Sequence, residues 1–320
     1  MKYDRECPEF TKDKPMLLLE GFQTRGRTGN RLIMFLHAIQ IARDDGIQLG
    51  VMKDSWATRL ITTMWFGFDT EPEGTSWSDW FQEALCIKVF ENEKELAGWD
   101  IVRRETDSLF RYKSQQPLGE YMASQMDILR TLYTHYNQDE EIPTKDMCSG
   151  INALLGEDGR GEAIYTAIHS RHLEGEAGIK LLRKVTRKSG CDDTAALELR
   201  PDYIKSILQP LGMLRYPIVF ISDGEDPTVL DRLLADPDIG PQVRTVDRDV
   251  WLGGDITLAV MSNVFIGNPA STFSTFIAKS RLALGFGHNE LYRAKDPEGE
   301  WRTVCGDHCI FDRSIMPFHA

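Results

Sequence analysis

Short apolar runs alternate with segments of helical period twice along this chain, and that alternation confines the fold to a parallel α/β class. The first set opens at Met16–Glu20 (MLLLE), which reads as a buried strand ending in an acid. A loop rich in Gly and Arg follows over Gly21–Gly29. From Asn30 to Asp45, the residues Leu32, Ile33, Leu36, Ile39 and Ala42 fall at helical spacing, Gly46 suits the cap, and Ile47–Met52 is the next strand. Ser55–Phe66 and Tyr121–Tyr136 read as further helices. Residues 67–115 show no clear period; Glu71–Gly74 reads as a turn, and Trp77, Trp80 and Phe81 as core or cleft wall. The second set begins with a strand at Ala163–Ile168 and a helix at Pro201–Leu211, with Pro in its first turn. Strands at Pro217–Ser222 and Asn263–Gly267 then interleave with helices at Pro227–Ala235, Val250–Ser262 and Thr272–Ser280, and Leu282–Phe286 reads as a final strand. Between the two sets lies INALLGEDGRGEA, a stretch of glycines and charges, so the domains are expected at 1–158 and 159–320. Two doubly wound α/β domains place a ligand cleft between them, at the carboxyl ends of the strands.

Charge narrows the function. The 49 acidic residues outnumber the 37 basic ones, for a net charge of −12. A nucleic-acid binder working through phosphate contacts should be basic, so that class is excluded, and any smaller anion must be held by a local group of arginines. No run of 18 apolar residues crosses a membrane, and the first residues, MKYDRECPEF, lack the apolar core of a signal peptide. Of the six cysteines, Cys305 and Cys309 could join His308 on a metal, but no second pair has matching spacing. A local disulfide or free thiols is the expectation, with no metal.

Three constellations follow strand ends. Gly26-Arg27-Thr28-Gly29-Asn30-Arg31 opens the first helix, where glycines admit a close ligand and a helix N-terminus favours an anion. It lacks the Lys-Ser/Thr ending of a P-loop and is not GxGxxG; the plain alternative is a βα turn with solvated arginines. His169-Ser170-Arg171 ends the strand that opens the second half. An arginine fork there fits a phosphate, the alternative being a pair with Glu174 or Glu176. Asp255 precedes Asn268-Pro269-Ala270-Ser271-Thr272-Phe273-Ser274, where hydroxyls at a helix start can bind phosphate or Ser271 can simply cap the helix.

In this order the three resemble the fucosyltransferase superfamily that includes protein O-fucosyltransferases and the α1,6- and α1,2-fucosyltransferases. The first motif there is Gly-Arg-Phe-Gly-Asn-Gln, against GRTGNR at Gly26–Arg31 here. His-x-Arg is matched by His169-Ser170-Arg171, and an acid followed by FIGN-x-x-S-S-F by Asp255 and FIGNPASTF at Phe265–Phe273. The resemblance spans about residues 16 to 286. It implies a GT-B fold, two Rossmann-like domains facing each other across a cleft, with the acceptor side N-terminal and the nucleotide-sugar side C-terminal. It further implies an inverting, metal-independent transfer of fucose from GDP-fucose to a hydroxyl of a glycan or protein. Arg171 would hold the β-phosphate with Ser271, Thr272 and Phe273. Asn30 would lie near the reacting sugar beside Gly26, Arg27 and Gly29. His169 and Asp255 would meet the nucleoside, and Asp223 and Asn268 complete the donor site. Thr28 and Arg31 depart from the family's Phe and Gln, on the acceptor side.

The chemistry fits those residue types. A departing diphosphate is stabilised by a metal or, without one, by Arg and a helix N-terminus. A carboxylate near the acceptor hydroxyl serves as base. Glu20, in a Glu-Gly-Phe resembling one branch of the family, is the first candidate; Glu174 and Glu176 are alternatives, and a salt bridge of Glu20 with Arg25, Arg27 or Arg31 is the plain reading. The basic start of 183–200 (Arg183, Lys184, Arg187, Lys188) reads as a solvated loop. Two other functions compete. A metal-dependent GT-A enzyme using another sugar would need Asp-x-Asp, which Asp236-Pro237-Asp238 and Asp247-Arg248-Asp249 fit only in letters. A GT-B-like protein without catalysis would bind a glycan or nucleotide. The compartment expected is the secretory lumen for a trimmed domain and the cytoplasm for a complete chain.

Overall fold

The computed structural model describes residues 7–20, 28–66, 77–105, 108–109, 112, 118–134, 164–171, 199–224, 227–245, 252–268, 271–291, 293–295 and 301–303. The chain divides into two compact units, Met1–Lys145 with Trp251–Gly253, and Asp146–Val250 with Gly254–Ala320. The stretch around 150–161, where the sequence pattern resets, lies outside the described residues.

In the first unit, β1 (Met16–Leu19), α1 (Thr28–Asp45), β2 (Gln48–Met52) and α2 (Trp56–Phe66) follow one another. Then come α3 (Trp77–Glu83), β3 (Ile87–Phe90), β4 (Ile101–Val102) and α4 (Leu118–Thr134). The four strands are parallel in the order β3-β2-β1-β4. All four residues of β1 are buried, as a central parallel strand covered on both faces requires. α1 is buried nearly all round from Leu32 to Ala42 and ends at Gly46, whose φ of 65° is the left-handed cap conformation. Trp77, Trp80 and Phe81 are buried together, with edge-on rings.

An N-terminal arm runs along this unit and is tied to it twice. The Gln48 amide accepts from the Thr11 N–H at 2.7 Å and donates to the carbonyls of Thr11 and Lys14 at 2.7 and 3.0 Å. Cys7 forms a disulfide with Cys86, 79 residues away. The sequence left disulfides and free thiols open for these two residues, and the structure pairs them. Cys148, Cys191, Cys305 and Cys309 lie outside the described residues, as does His308.

The second unit runs β5 (Thr166–Ser170), α5 (Pro201–Leu208), β6 (Ile218–Ser222), α6 (Pro227–Leu234) and β7 (Val243–Thr245). It continues with α7 (Leu252–Met261), β8 (Val264–Gly267), α8 (Thr272–Ala283) and β9 (Asn289–Leu291). Its five strands are parallel in the order β7-β6-β5-β8-β9, and an antiparallel pair, β10 (Arg293–Lys295) and β11 (Trp301–Thr303), stands apart from that sheet. In both units the first strand lies between the second and the fourth, the doubly wound order, so each sheet has a switch point beside its first strand. A core of Ile168, Tyr203, Ile204, Phe220, Leu233 and Ile266 joins the sheet to α5 and α6.

One expected strand is absent. Leu282–Phe286 is the end of α8 and its turn, because a short apolar run reads alike in a buried helix and a strand. Gly285 takes φ 84°, and the Phe286 N–H donates to the Arg281 carbonyl at 2.8 Å. The fifth strand, β9, comes later. Arg281 is fully buried; its guanidinium donates to the carbonyls of Val260, Ser262 and Gly287 and to Asn289 Oδ1, which locks the end of α7 to β9. Burial lowers its pKa to about 10, although Tyr165 pulls the other way.

Candidate functional site

In the second unit the switch point lies between β5 and β8. His169 and Ser170 are the last residues of β5, and Arg171 follows. β8 ends at Gly267, Asn268 follows it, and α8 starts at Thr272. The fork between two adjacent parallel strands therefore gathers the second and third motifs in one place. The Asn268 side-chain amide donates to the Arg171 carbonyl at 3.4 Å across the fork. The Asn268 N–H donates to Ser274 Oγ at 2.9 Å, and His169 Nδ1 stands 2.7 Å from the same Oγ. The His169 ring packs on Phe273 with centroids 4.8 Å apart.

Arg171 and Asp223 sit side by side because Ser170 pairs with Ser222 across β5 and β6. Their closest charged atoms are 3.9 Å apart, an ion-pair distance longer than a hydrogen bond. Gly267 is required by space: a Cβ there would lie 2.7 Å from the Phe265 ring and 2.9 Å from Ser274 Cβ. Larger residues would displace the serine on which His169 and Asn268 converge.

Ser271 precedes α8 and is fully buried, yet its hydroxyl makes no capping bond and has no hydrogen-bond partner among the described residues. The plain reading of Ser271 as a side-chain cap is thus not what the structure holds. The first turn of α8 carries no acidic side chain. A buried hydroxyl beside a helix N-terminus can bind an anion.

Burial, helped by the Arg171 charge, lowers the His169 pKa to about 3, so its imidazole is neutral. Burial also raises the Asp255 carboxyl, in the first turn of α7, to about 6. Among the described residues no hydrogen bond or ion pair links Asp255 to His169, Arg171 or Ser274. The structure thus brings together His169, Arg171, Asp223, Asn268, Ser271, Thr272 and Phe273, with Asp255 on a neighbouring element.

In the first unit, Thr28, Gly29, Asn30 and Arg31 form the first turn of α1. The Arg31 guanidinium lies 3.7 Å over the Trp56 ring instead of in solvent, and burial lowers its pKa. Glu20, just past β1, is held by Arg103, just past β4: Nε and Nη2 donate to its two carboxylate oxygens at 2.9 and 3.0 Å. This bidentate pair spans the switch point of the first sheet. The partner is Arg103 rather than Arg31; Arg25 and Arg27 lie outside the described residues, together with Gly26, Glu174, Glu176 and the segment 183–198.

The Asp-x-Asp readings fare differently. Asp236 and Asp238 both accept from Lys205 Nζ, at 2.9 and 3.1 Å, and Asp236 also caps the N–H groups of Asp238 and Ile239. These acids close a turn. Asp247-Arg248-Asp249 lies outside the described residues. Among the described residues no group of three or more His, Cys, Asp or Glu gathers as metal ligands, and no helix is long and apolar enough to cross a membrane. Sequence reasoning missed Ser274, Trp56 and Arg103 as neighbours of the motifs. Only Ser274 carried a signal, because it sits inside the third motif.

Two doubly wound α/β units make this the GT-B fold. Neither a family profile nor a curated protein sequence matches the chain. Among solved structures it is similar to POFUT1 in complex with GDP, at TM-score 0.53 and 12% identity, over 88% of this chain and 99% of that one. POFUT1 in complex with GDP-fucose matches at TM-score 0.51 and 12% identity, over 88% and 98%.

Proposed function

We propose that this protein is an inverting, metal-independent glycosyltransferase that moves fucose from GDP-fucose to a hydroxyl of a glycan or protein. The observation that carries this reading is that Arg171 and the start of α8, with the buried Ser271, follow the two strands that flank the switch point of the second sheet. GDP and GDP-fucose are the ligands held by POFUT1 in its solved complexes. In the reaction an acceptor oxygen attacks the anomeric carbon while its bond to the diphosphate breaks. Negative charge then grows on the departing GDP. Arg171 and the helix N-terminus neutralise that charge, and the buried Ser271 hydroxyl donates to a phosphate oxygen. Asp223 keeps the Arg171 fork aimed, and Asn30 lies near the reacting sugar.

The acceptor proton must go to a base. Glu20 takes that role, with Arg103 orienting its carboxylate. The pair is exposed, so Arg103 can yield one oxygen to an acceptor hydroxyl at little cost.

Calorimetric titration with GDP, GDP-fucose, GDP-mannose and UDP-sugars in EDTA tests the donor. Binding of GDP and GDP-fucose without metal is the expected result, and fucose transfer follows in an acceptor screen. Binding of no guanine nucleotide would overturn the proposal. Binding that needs Mn²⁺ would return the metal-dependent reading, and GDP binding without turnover on any acceptor would leave a binding protein.

A further inference from the structure

Ser274 is buried in the first turn of α8, and its Oγ meets two groups, the Asn268 N–H at 2.9 Å and His169 Nδ1 at 2.7 Å. A serine hydroxyl has one hydrogen to give and two lone pairs to offer. The Asn268 N–H can only donate, so it occupies one lone pair. A protonated His169 Nδ1 would occupy the other and leave the hydroxyl hydrogen buried with no acceptor among the described residues. Folded proteins avoid such orphans. A bare Nδ1 instead accepts that hydrogen, and all three groups are satisfied. Turning the imidazole over would place a carbon against the hydroxyl and create the same orphan. The imidazole is neutral, so it carries a single N–H.

We propose that Ser274 fixes His169 as the Nε2–H tautomer and is thereby a positioning residue that makes His169 a hydrogen-bond donor at Nε2. Whatever meets Nε2 must accept. On the nucleotide reading above, on which this part rests, that partner is an acceptor atom of the nucleoside: a base carbonyl, a ring nitrogen or a ribose oxygen. The opposite tautomer would place two acceptors face to face and reject it. Ser274 thus links the third motif to the second. The Gly267 contact described above keeps the serine close enough to do so.

The test is a ¹⁵N spectrum of the histidine side chains in the full chain at neutral pH, without ligand. The His169 resonances are identified by their loss in His169→Gln. The wild type should show an unprotonated, pyridine-type Nδ1 and a protonated, pyrrole-type Nε2. Ser274→Ala should lose that bias, and Ser274→Thr, which keeps the hydroxyl, should restore it. GDP affinity should fall about fivefold to tenfold in Ser274→Ala, the loss expected for one hydrogen bond, and recover in Ser274→Thr. A protonated Nδ1 in the wild type overturns the proposal. So does a Ser274→Ala protein with the wild-type tautomer and GDP affinity within twofold. Should Ser274→Ala fail to fold, the wild-type spectrum still decides. A wild type with the expected tautomer that binds no GDP supports the Ser274 assignment and refutes the nucleotide reading separately.

Discussion

Cutting the Cys7–Cys86 disulfide should lower the melting temperature of the first unit sharply. The bridge closes a loop with a sequence separation of 79 residues. Chain-entropy arithmetic for a loop of that length gives about 15 cal/mol/K removed from the unfolded ensemble, or about 4.5 kcal/mol at 25 °C. The bridged arm stays docked in the folded state without it, because Gln48 holds Thr11 and Lys14 through three hydrogen bonds. The loss therefore falls mainly on the unfolded side. For a unit the size of Met1–Lys145, an unfolding entropy of about 2.1 cal/mol/K per residue turns 4.5 kcal/mol into about 14 °C. Scanning calorimetry of the wild type with and without reductant, and of Cys7→Ser and Cys86→Ser, measures it. All three perturbations should agree, since each removes the same cross-link. Alkylation of the native, unreduced protein should leave both cysteines unlabelled. Labelling at both positions, or a melting temperature that moves by less than about 3 °C on reduction, would refute the reasoning.

Other outcomes follow from the second unit. Arg171→Ala should cut fucose transfer about 10²-fold or more through loss of a preorganised donor to the leaving group, with Arg171→Lys recovering little because it lacks the fork; a rate within threefold of wild type would remove Arg171 from that role. Gly267→Ala should cost about 1–3 kcal/mol by overpacking against Phe265 and Ser274, read as a shift in the denaturant midpoint, and an unchanged midpoint would contradict the contact. Proton linkage at two groups opposes itself. His169, held near 3 against an ordinary 6.5, binds a proton only when unfolded, so stability falls with decreasing pH below 6.5 by up to about 1.4 kcal/mol per unit. Asp255, raised from 3.8 to about 6, holds a proton in the folded state and has the reverse slope between those values. Denaturant melts from pH 4 to 6 should be nearly flat for these two groups in the wild type and slope upward in Asp255→Asn; a variant as flat as the wild type would sink the assignment of both shifts.

What could be read from sequence follows a physical line. β1 and β8 announce themselves because a strand buried on both faces is a bare apolar run. Motifs placed directly after such strands land at the carboxyl edge by construction, which is how His169, Arg171 and Asn268 came out as neighbours. β4 has only Ile101 and Val102, too little for any period, and its place beside β1 comes from tertiary pairing. Arg103 was invisible for the same reason: it meets Glu20 only because strands one and four flank the switch point, 83 residues apart in sequence. Cysteine pairing at a separation of 79 residues leaves no local trace. The misread at Leu282–Phe286 has another cause, since a short apolar run at the end of a buried helix reads like a strand.

On the proposed function, the difference between the two switch points accounts for an acidic chain attracting an anion at one place and not at another. At the first sheet, Arg103 spends two short hydrogen bonds on Glu20, so its charge is answered before any ligand arrives. At the second sheet, Arg171 stands 3.9 Å from Asp223, and the start of α8 adds no acid of its own. An anion approaching Arg103 must break a bidentate pair. One approaching Arg171 meets a guanidinium whose nearby carboxylate is at ion-pair distance, at the end of the strand beside the one that leads into α8. A net charge of −12 repels nucleotides from the surface at large, so selectivity must come from such local differences.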